Sequence, residues 1–222
     1  MAANPGFPLV LDVKGWPVLV IGGDDEASEK SERLLESGAR VTVLSPTLNE
    51  PLRQLAASGK IIHRGRHFRD TDLDHIILIL NTIRGDRDFA QMLVAKAREK
   101  RVLLWSVDYP EACSVTMPAV VAAGHVRVAI SSSGVAPALS GFMKEDLERI
   151  LDAEFVEFVE WLGQLREQAK ANEPDAEKRR ALLREALDGF RLLGKVRYPT
   201  VWSERRAEAV ASTPSQASVE PQ

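Results

Sequence analysis

Residues 16–23 read WPVLVIGG and run directly into residues 24–27, which read DDEA. An apolar run that ends in two glycines is typical of a buried strand followed by a tight turn. Residues 25–39 continue with helix-forming residues, and Ala27 and Ser31 lie on one face of the predicted helix. A strand, a glycine turn and a helix in this order predict the first unit of a nucleotide-type α/β fold.

Strands and helices continue to alternate through residue 108. Strands are predicted at residues 40–45, 60–64, 75–82 and 101–108, and helices at residues 46–59 and 86–100. Strands joined by single helices favour right-handed parallel crossovers. The sequence therefore predicts an α/β fold with a doubly wound, Rossmann-like parallel sheet.

The pattern changes after Asp108. Residues 109–134 contain two short β-like pieces around Gly124, which predict a hairpin, and residues 137–151 predict a helix. Charged amphipathic helices follow, with a break near residues 172–174. We expect a nucleotide-binding domain over residues 1–113, a dimerisation segment over 114–151, a helical C-terminal domain over 152–211 and a disordered tail over 212–222. The alternative for the helical part is a cap on the same monomer.

The composition is that of an ordinary globular protein. The 222 residues are 45% hydrophobic and 27% charged, with a net charge of −3, so no overall charge favours nucleic acid or an anionic membrane. The single Cys113 excludes an intrachain disulfide, and no signal peptide or membrane-length apolar run is visible. We predict a cytoplasmic protein. The four histidines lack metal-ligand spacing, so no metal site is predicted.

The glycine turn raises a question of charge. Gly22 and Ala27 fit the first and last positions of a dinucleotide fingerprint, but Asp24 stands at the middle glycine, where backbone approaches the pyrophosphate. A carboxylate about 5 Å from a phosphate would repel it by roughly 3 kcal/mol at an effective dielectric near 20. The turn is therefore either a dinucleotide site or a helix start that Asp24 or Asp25 caps. Residues 45–47 (Ser-Pro-Thr) replace the usual acid after the second strand.

Asp108 is a lone carboxylate at the end of a predicted parallel strand, the edge where α/β proteins bind ligands. It has the chemistry of a general base. An aspartate before Tyr109 and Pro110 is equally suited to begin a turn. Both interpretations follow from the residues alone.

Three stretches in this order resemble the precorrin-2 dehydrogenase module of siroheme synthases, which occurs with or without ferrochelatase activity. They are PLVLDVKGWPVLVIGG (8–23), EKSERLLESGARVTVLSP (29–46) and VDYPEACSVTMPAVVAAGHVRVAISSSGVAPALS (107–140). The third is the most specific, because it joins a Val-Asp strand end to a long ordered series of short motifs.

The resemblance implies NAD-dependent oxidation of the tetrapyrrole precorrin-2 to sirohydrochlorin by a homodimer, with iron insertion in some members. It implies that Asp108 is catalytic and that Ser132 faces the tetrapyrrole cleft. It places NAD against Gly22, Gly23, Asp25, Glu26, Pro46 and Thr47. The chain departs from the family at Asp24, usually glycine, and at Glu26, usually valine. The alternative is a degenerate relative that only binds a tetrapyrrole, or that only inserts a metal into it as a chelatase, and does not use NAD.

Overall fold

A computed structural model of the chain describes residues 6–200 and residue 202. The chain divides into two compact units, residues 1–157 and 158–222. The predicted tail over residues 212–222 lies outside the described residues, as do residues 1–5, 201 and 203–211. Among the helices that the structure describes, none combines the length and apolar character needed to cross a bilayer.

A five-stranded parallel sheet forms the centre of the first unit. Its strands lie in the order β3-β2-β1-β4-β5, so the direction of winding reverses between β1 and β4. The strands are β1 (Pro17–Ile21), β2 (Arg40–Leu44), β3 (Ile62–Arg64), β4 (Leu78–Asn81) and β5 (Leu103–Ser106). A reversal of this kind opens a crevice at the carboxyl ends of the central strands.

The strands β1, β2 and β4 are buried on both faces of the sheet, which explains their nearly continuous apolar sequences, whereas the edge strand β3 is exposed. Val18 and Val20 of β1 pack into one apolar cluster with residues of helices α1 (Asp25–Glu36) and α2 (Glu50–Ala57). The alternate residues Leu19 and Ile21 pack into a second cluster with α3 (Arg87–Lys100). The predicted doubly wound, Rossmann-like sheet is confirmed.

Several elements are shorter than the sequence predicted, including β3 and β4, and for two of them the local reason is clear. The predicted helix over residues 46–59 is shorter, because Asn49 caps α2 by accepting a hydrogen bond from the Leu52 amide at 3.1 Å. The predicted strand over residues 101–108 is also shorter. Arg101 and Asp108 both have left-handed backbone conformations, with φ of 57° and 59°, which end strand geometry on either side of β5.

A small antiparallel hairpin follows the sheet. It consists of β6 (Ala119–Ala123) and β7 (Val126–Ile130), and Gly124 turns the chain with φ of 56°. The predicted hairpin is confirmed. Its buried face shares an apolar cluster with Leu147 near the end of α4 (Pro137–Ile150) and with Phe155. This cluster is separate from the two clusters of the parallel sheet.

The remaining described elements are helical, as predicted. α5 covers Ala153–Asn172 and α6 covers Ala176–Glu185, so the break falls at residues 173–175. Asp175 caps α6 by accepting from the Glu177 and Lys178 amides. In the second unit, the Phe158 ring stacks on Trp161 and Phe190, with centroids 5.8 and 5.4 Å away.

Candidate active site at the carboxyl edge of the sheet

A cavity of about 610 Å³ opens at the carboxyl edge of the sheet, beside the point where the winding reverses. Its volume lies within the range of roughly 300–1,000 Å³ that is usual for small-molecule sites. It is lined by residues 21–24 at the end of β1, 44–47 at the end of β2, 66–68 after β3, 82–84 after β4, and by Asp86, Phe89 and Met92 at the N-cap and in the first half of α3. The cavity thus occupies the place where α/β folds bind ligands.

Gly22 and Gly23 are required by close packing at the floor of the cavity. Gly22 has φ of 132°, and a Cβ added there would overlap the Thr82 hydroxyl. A Cβ added to Gly23 would overlap the Thr47 carbonyl and lie 2.8 Å from Ser45 Oγ. The two glycines therefore let the turn after β1 lie directly against the ends of β2 and β4, which leaves the cavity open above them.

Asp24 caps helix α1, as one of the two sequence interpretations expected. Its Oδ1 accepts a hydrogen bond from the Ala27 amide at 2.9 Å and lies 3.2 Å from the Thr82 hydroxyl, which is fully buried. The carboxylate satisfies one amide of the first turn. The Asp24 carboxylate forms these hydrogen bonds within the protein, and Asp24 also lines the cavity.

Asp25 connects the starts of two helices. Its Oδ1 accepts from the side-chain Nδ2 of Asn49 at 2.8 Å, and the same side chain caps α2. The backbone amide of Asn49 donates to the Gly23 carbonyl at 2.8 Å. Asp25 does not belong to the described lining of the cavity. It shapes the turn through Asn49.

Glu26 lies between two cations. Its Oε1 is 2.8 Å from Lys30 Nζ, and its Oε2 is 3.1 Å from Arg84 Nη2. Lys30 is buried, with its ammonium group 5.4 Å from the centroid of the Trp105 ring. Like Asp25, Glu26 is absent from the described cavity lining. The negative charge of Glu26 is balanced by the Lys30 and Arg84 side chains. The acidic turn would therefore repel a phosphate less strongly than the sequence suggested.

Asp108 lies in a turn that the end of the sheet holds in place. The preceding Val107 amide donates to the Asn81 carbonyl at 2.9 Å, which continues the β4–β5 pairing. The partly buried Cys113 closes the turn, because its Sγ accepts from the Ser106 amide at 3.1 Å. Burial raises the pKa of the Cys113 thiol, which keeps it protonated and able to donate. Aspartate tolerates the left-handed conformation of position 108 better than most residues.

Arg84 joins Asp108 to the glycine turn. Its Nη1 donates to Asp108 Oδ2 at 2.7 Å, while its Nη2 reaches Glu26. The Asp108 hydrogen bond, with smaller contributions from Glu26 and Asp24, raises the pKa of the Arg84 guanidinium. Arg84 lines the cavity and Asp108 is half exposed beside it. The predicted catalytic aspartate and the glycine turn are therefore linked through a single cation.

The other predicted site residues are divided between the cavity and the hairpin. Pro46 and Thr47 line the cavity together with Gly22 and Gly23. Ser132 lies in the turn between β7 and α4, where its hydroxyl accepts from the Ala136 amide at 3.2 Å. It does not belong to the described lining of the cavity, and its predicted role at a tetrapyrrole cleft stays a prediction.

A buried carboxylate, Asp72, organises the rim of the cavity after β3. It accepts from both terminal nitrogens of Arg66 at 2.7 and 2.6 Å, from Arg64 Nη1 at 2.6 Å and from the Arg69 amide at 2.8 Å. Its side chain is 0% exposed. Burial acts to raise the pKa of the Asp72 carboxyl, but the bonds from Arg66, Arg69 and Arg64 together outweigh it, and the pKa is lowered.

We expect Asp72→Asn to lower the free energy of unfolding by about 3 kcal/mol near pH 7, because two guanidinium groups lose their buried partner. The measurement is urea unfolding. The folded-state pKa is below the unfolded value, so the carboxylate stabilises fully above about pH 4 and this stabilisation is lost as pH falls through the folded pKa. The difference between variant and wild type should shrink in acid.

The control is Asp74→Asn, which removes an exposed carboxylate 3.1 Å from Lys100 Nζ and should change stability by less than about 1 kcal/mol. A difference for Asp72→Asn that stays constant from neutral to strongly acidic pH would show that its charge does not stabilise the fold.

Sequence reasoning missed Arg84, Arg66, Asp72 and the capping role of Asn49. One signal was available for Arg84, since a cation three residues beyond the end of β4 can pair with acids at the same edge of the sheet. No comparable signal exists for Asp72, because its partners come from the end of a short edge strand and from the turn after it. Among the described residues, no group of three or more His, Cys, Asp and Glu side chains is arranged to hold a metal ion.

Curated relatives confirm the resemblance to siroheme synthases. "Siroheme synthase 1" of Serratia proteamaculans (strain 568) is 34% identical over 164 residues, which are 74% of this chain and 34% of that protein. "Siroheme synthase" of Xylella fastidiosa (strain M12) is 32% identical over 216 residues, 96% of this chain and 45% of that protein. The chain thus spans less than half the length of these curated relatives.

A solved structure has the same fold. "SirC, precorrin-2 dehydrogenase" is similar with a TM-score of 0.71 and 22% identity, over 94% of this chain and 100% of that chain. In addition, residues 9–119 match a family model described as "Putative NAD(P)-binding". That range contains the complete parallel sheet, every residue that lines the cavity, and Asp108. The chain belongs to this NAD(P)-binding family.

Proposed function

We propose that this chain oxidises precorrin-2 to sirohydrochlorin with NAD as the electron acceptor. One observation carries the proposal: the cavity at the winding reversal of the sheet is floored by two glycines that admit no side chain, and Arg84 links it to Asp108. The names of the siroheme synthase relatives and of the similar precorrin-2 dehydrogenase support the choice of substrate.

The residues of the cavity fit a dinucleotide. The floor at Gly22 and Gly23 allows close approach of a pyrophosphate, and Pro46 and Thr47 lie where the adenosine half would rest. Asp25 and Glu26 support the turn through Asn49 and Arg84. When bound, NAD supplies a two-electron hydride acceptor.

Asp108 is proposed as the general base. Dehydrogenation removes a hydride and a proton from the substrate, and an exposed carboxylate at this edge is suited to receive the proton. Arg84 Nη1 is 2.7 Å from Asp108 Oδ2 and orients the carboxylate. Oδ1 is proposed as the atom that receives the proton. Ser132 is proposed to contact the tetrapyrrole from the turn before α4.

The experiment is incubation of the purified chain with precorrin-2 and NAD, following NADH and sirohydrochlorin together. We expect equal amounts of both products. A folded chain that binds both compounds yet forms neither product would contradict the proposal. Formation of a metallated tetrapyrrole from sirohydrochlorin and ferrous iron, without NADH in the first assay, would support the chelatase alternative instead.

We also propose a homodimer that forms through one face of α4. Leu139, Phe142, Met143 and Ile150 are exposed at helical spacing, and Phe142 is 68% exposed. Exposed apolar faces of this kind are typical of interaction sites, and two-fold dimers are the commonest assemblies. The resemblance to the family also implies a homodimer.

Phe142→Glu should therefore raise the dimer dissociation constant by about 100-fold, because it places a charge in an apolar surface that the proposed dimer would bury. Analytical ultracentrifugation measures this directly. Leu193→Glu is the control, since Leu193 is 81% exposed in the second unit and should leave the dimer intact. Wild-type chain that sediments as a monomer at high concentration would refute the dimer.

We also propose a cytoplasmic location. The only cysteine is free, so the chain contains no disulfide that needs an oxidising compartment.

A further inference from the structure

Arg84 is shared between two carboxylates that come from different strand ends of the sheet. Its Nη1 donates to Asp108 Oδ2 at 2.7 Å, and its Nη2 donates to Glu26 Oε2 at 3.1 Å. A guanidinium is planar and rigid, so bonds at both terminal nitrogens fix its plane as well as its position. Glu26 therefore determines how Arg84 faces Asp108.

The ion pair between Arg84 and Asp108 would be weak on its own. Both side chains are half exposed, Arg84 at 52% and Asp108 at 53%. Isolated exposed ion pairs contribute little, because holding two side chains in one geometry costs entropy, whereas a network of several charges is more effective. A second anchor for Arg84 is therefore needed to keep the Asp108 carboxylate in one orientation.

Glu26 supplies that anchor from a more buried position. Its side chain is 22% exposed, and its Oε1 is 2.8 Å from Nζ of Lys30, whose side chain is 11% exposed. Lys30 lies one turn further along α1, with its ammonium group 5.4 Å from the centroid of the Trp105 ring. Buried charges are screened less than exposed ones. The buried end of this series of contacts thus holds the exposed end.

The four side chains cross the carboxyl edge of the sheet in the order of its strands. Glu26 and Lys30 lie on the helix after β1, Arg84 follows β4, and Asp108 follows β5. These three strands are neighbours in the sheet. The charges alternate from Lys30 to Asp108, so each one is next to a charge of opposite sign. The proposed base is therefore connected to a helix that packs on the sheet.

Glu26 is poorly placed to act on NAD directly. It does not belong to the described lining of the cavity, whereas Arg84 does. Each of its two oxygens is already paired with a cation. An effect of Glu26 on the reaction therefore passes through Arg84, which in turn bonds Asp108.

We propose that Glu26, anchored by Lys30, is a positioning residue. It holds Arg84, and through Arg84 it fixes the Asp108 carboxylate where the substrate proton is taken up. Glu26 then acts on the rate of the reaction and not on the affinity for NAD. The inference rests on the proposed function, because Asp108 is the proposed base. Misplacement of a catalytic group by about 1 Å is enough to cost roughly 100-fold in rate.

Glu26→Gln tests the inference by separating kcat from cofactor binding. Glutamine has the same length, but its NH2 group must face one of the two cations that the carboxylate pairs. With precorrin-2 and NAD as substrates, we expect kcat to fall by about 10- to 100-fold. The NAD dissociation constant, measured by calorimetry, should stay within about threefold of wild type.

Glu29→Gln is the matched control on the same helix. The Glu29 carboxylate lies 3.4 Å from Lys30 Nζ and 3.4 Å from Arg33 Nη1, and its described ion pairs do not include Arg84. The control makes the same change from acid to amide beside the same lysine. Both kcat and the NAD dissociation constant should stay within about twofold of wild type.

Two further variants show whether Glu26 acts through Asp108. In an Asp108→Asn background, Glu26→Gln should lower kcat by less than about a further twofold, since the effects of residues that act as a unit are not additive. The double variant Glu26→Met/Lys30→Met removes the anchor without leaving a buried charge unpaired, so it should fold. It should show the same loss of kcat as Glu26→Gln.

A kcat for Glu26→Gln within about twofold of wild type would overturn the inference. A loss of NAD affinity beyond about tenfold would do the same, because it is expected of a cofactor contact. So would a full additional loss of kcat in the Asp108→Asn background. Each of these outcomes leaves wild-type activity, and with it the proposed function, intact. A wild-type chain that forms neither NADH nor sirohydrochlorin would instead overturn the proposed function.

Discussion

Asp108→Asn should lower kcat for precorrin-2 oxidation by about 10²- to 10⁴-fold, the range expected when a general base is removed. Asparagine is the appropriate replacement, because it tolerates the left-handed backbone of position 108 and its amide oxygen can still accept from Arg84. The fold and the Arg84 contact are then retained while the basic carboxylate is lost. NAD affinity should change by less than about threefold.

Glu111→Gln provides the control for Asp108→Asn. Glu111 lies three residues further along, half exposed, with its Oε1 3.1 Å from Arg87 Nη2. The same change from carboxylate to amide should leave kcat within about twofold of wild type. If kcat of Asp108→Asn also stays within about twofold of wild type, Asp108 is not the base. Its only role is then to form the turn after β5.

Gly23→Ala should weaken NAD binding by about 100-fold, since a misplacement near 1 Å is enough for an effect of that size. The added Cβ would overlap the Thr47 carbonyl, which is backbone and cannot rotate away. The end of β2 must move, and with it the cavity wall at Pro46 and Thr47. Overpacking should also lower the free energy of unfolding by about 1–3 kcal/mol.

Gly163→Ala controls for the change of residue type. A Cβ at this position in α5 meets no atom within 4 Å, and the glycine has no positive φ. The substitution should leave NAD affinity unchanged and stabilise the helix by up to about 1 kcal/mol. An NAD affinity for Gly23→Ala equal to that of the control would show that the cofactor does not rest on this turn.

The fold was predictable because its signals are local. Apolar strands such as residues 17–21, each followed by a helical segment, require a parallel sheet that is buried on both faces. The exact ends were not predictable from periodicity alone. They depend on caps and on left-handed positions such as Asn49, Arg101 and Asp108, where one hydrogen bond or one dihedral angle stops an element.

The candidate site was predictable in part. Gly22, Gly23, Pro46 and Thr47 were found because glycines and strand ends have fixed places in the fold. The acids of the glycine turn were predictable only in part, because capping by Asp24 or Asp25 was one of the two sequence interpretations, whereas the side chains that balance the charges of Asp25 and Glu26 were not predicted. Their partners are the Ala27 amide, Asn49, Lys30 and Arg84, and two of these lie more than 20 residues away in the sequence.

The charge balance of the glycine turn is the centre of this account, and titration of the wild-type chain with NAD tests it most directly. If the acids are engaged as described, NAD should bind to one site per chain with a dissociation constant in the micromolar range. Absence of saturable binding at millimolar NAD, by a chain that unfolds cooperatively and is therefore folded, would contradict the account.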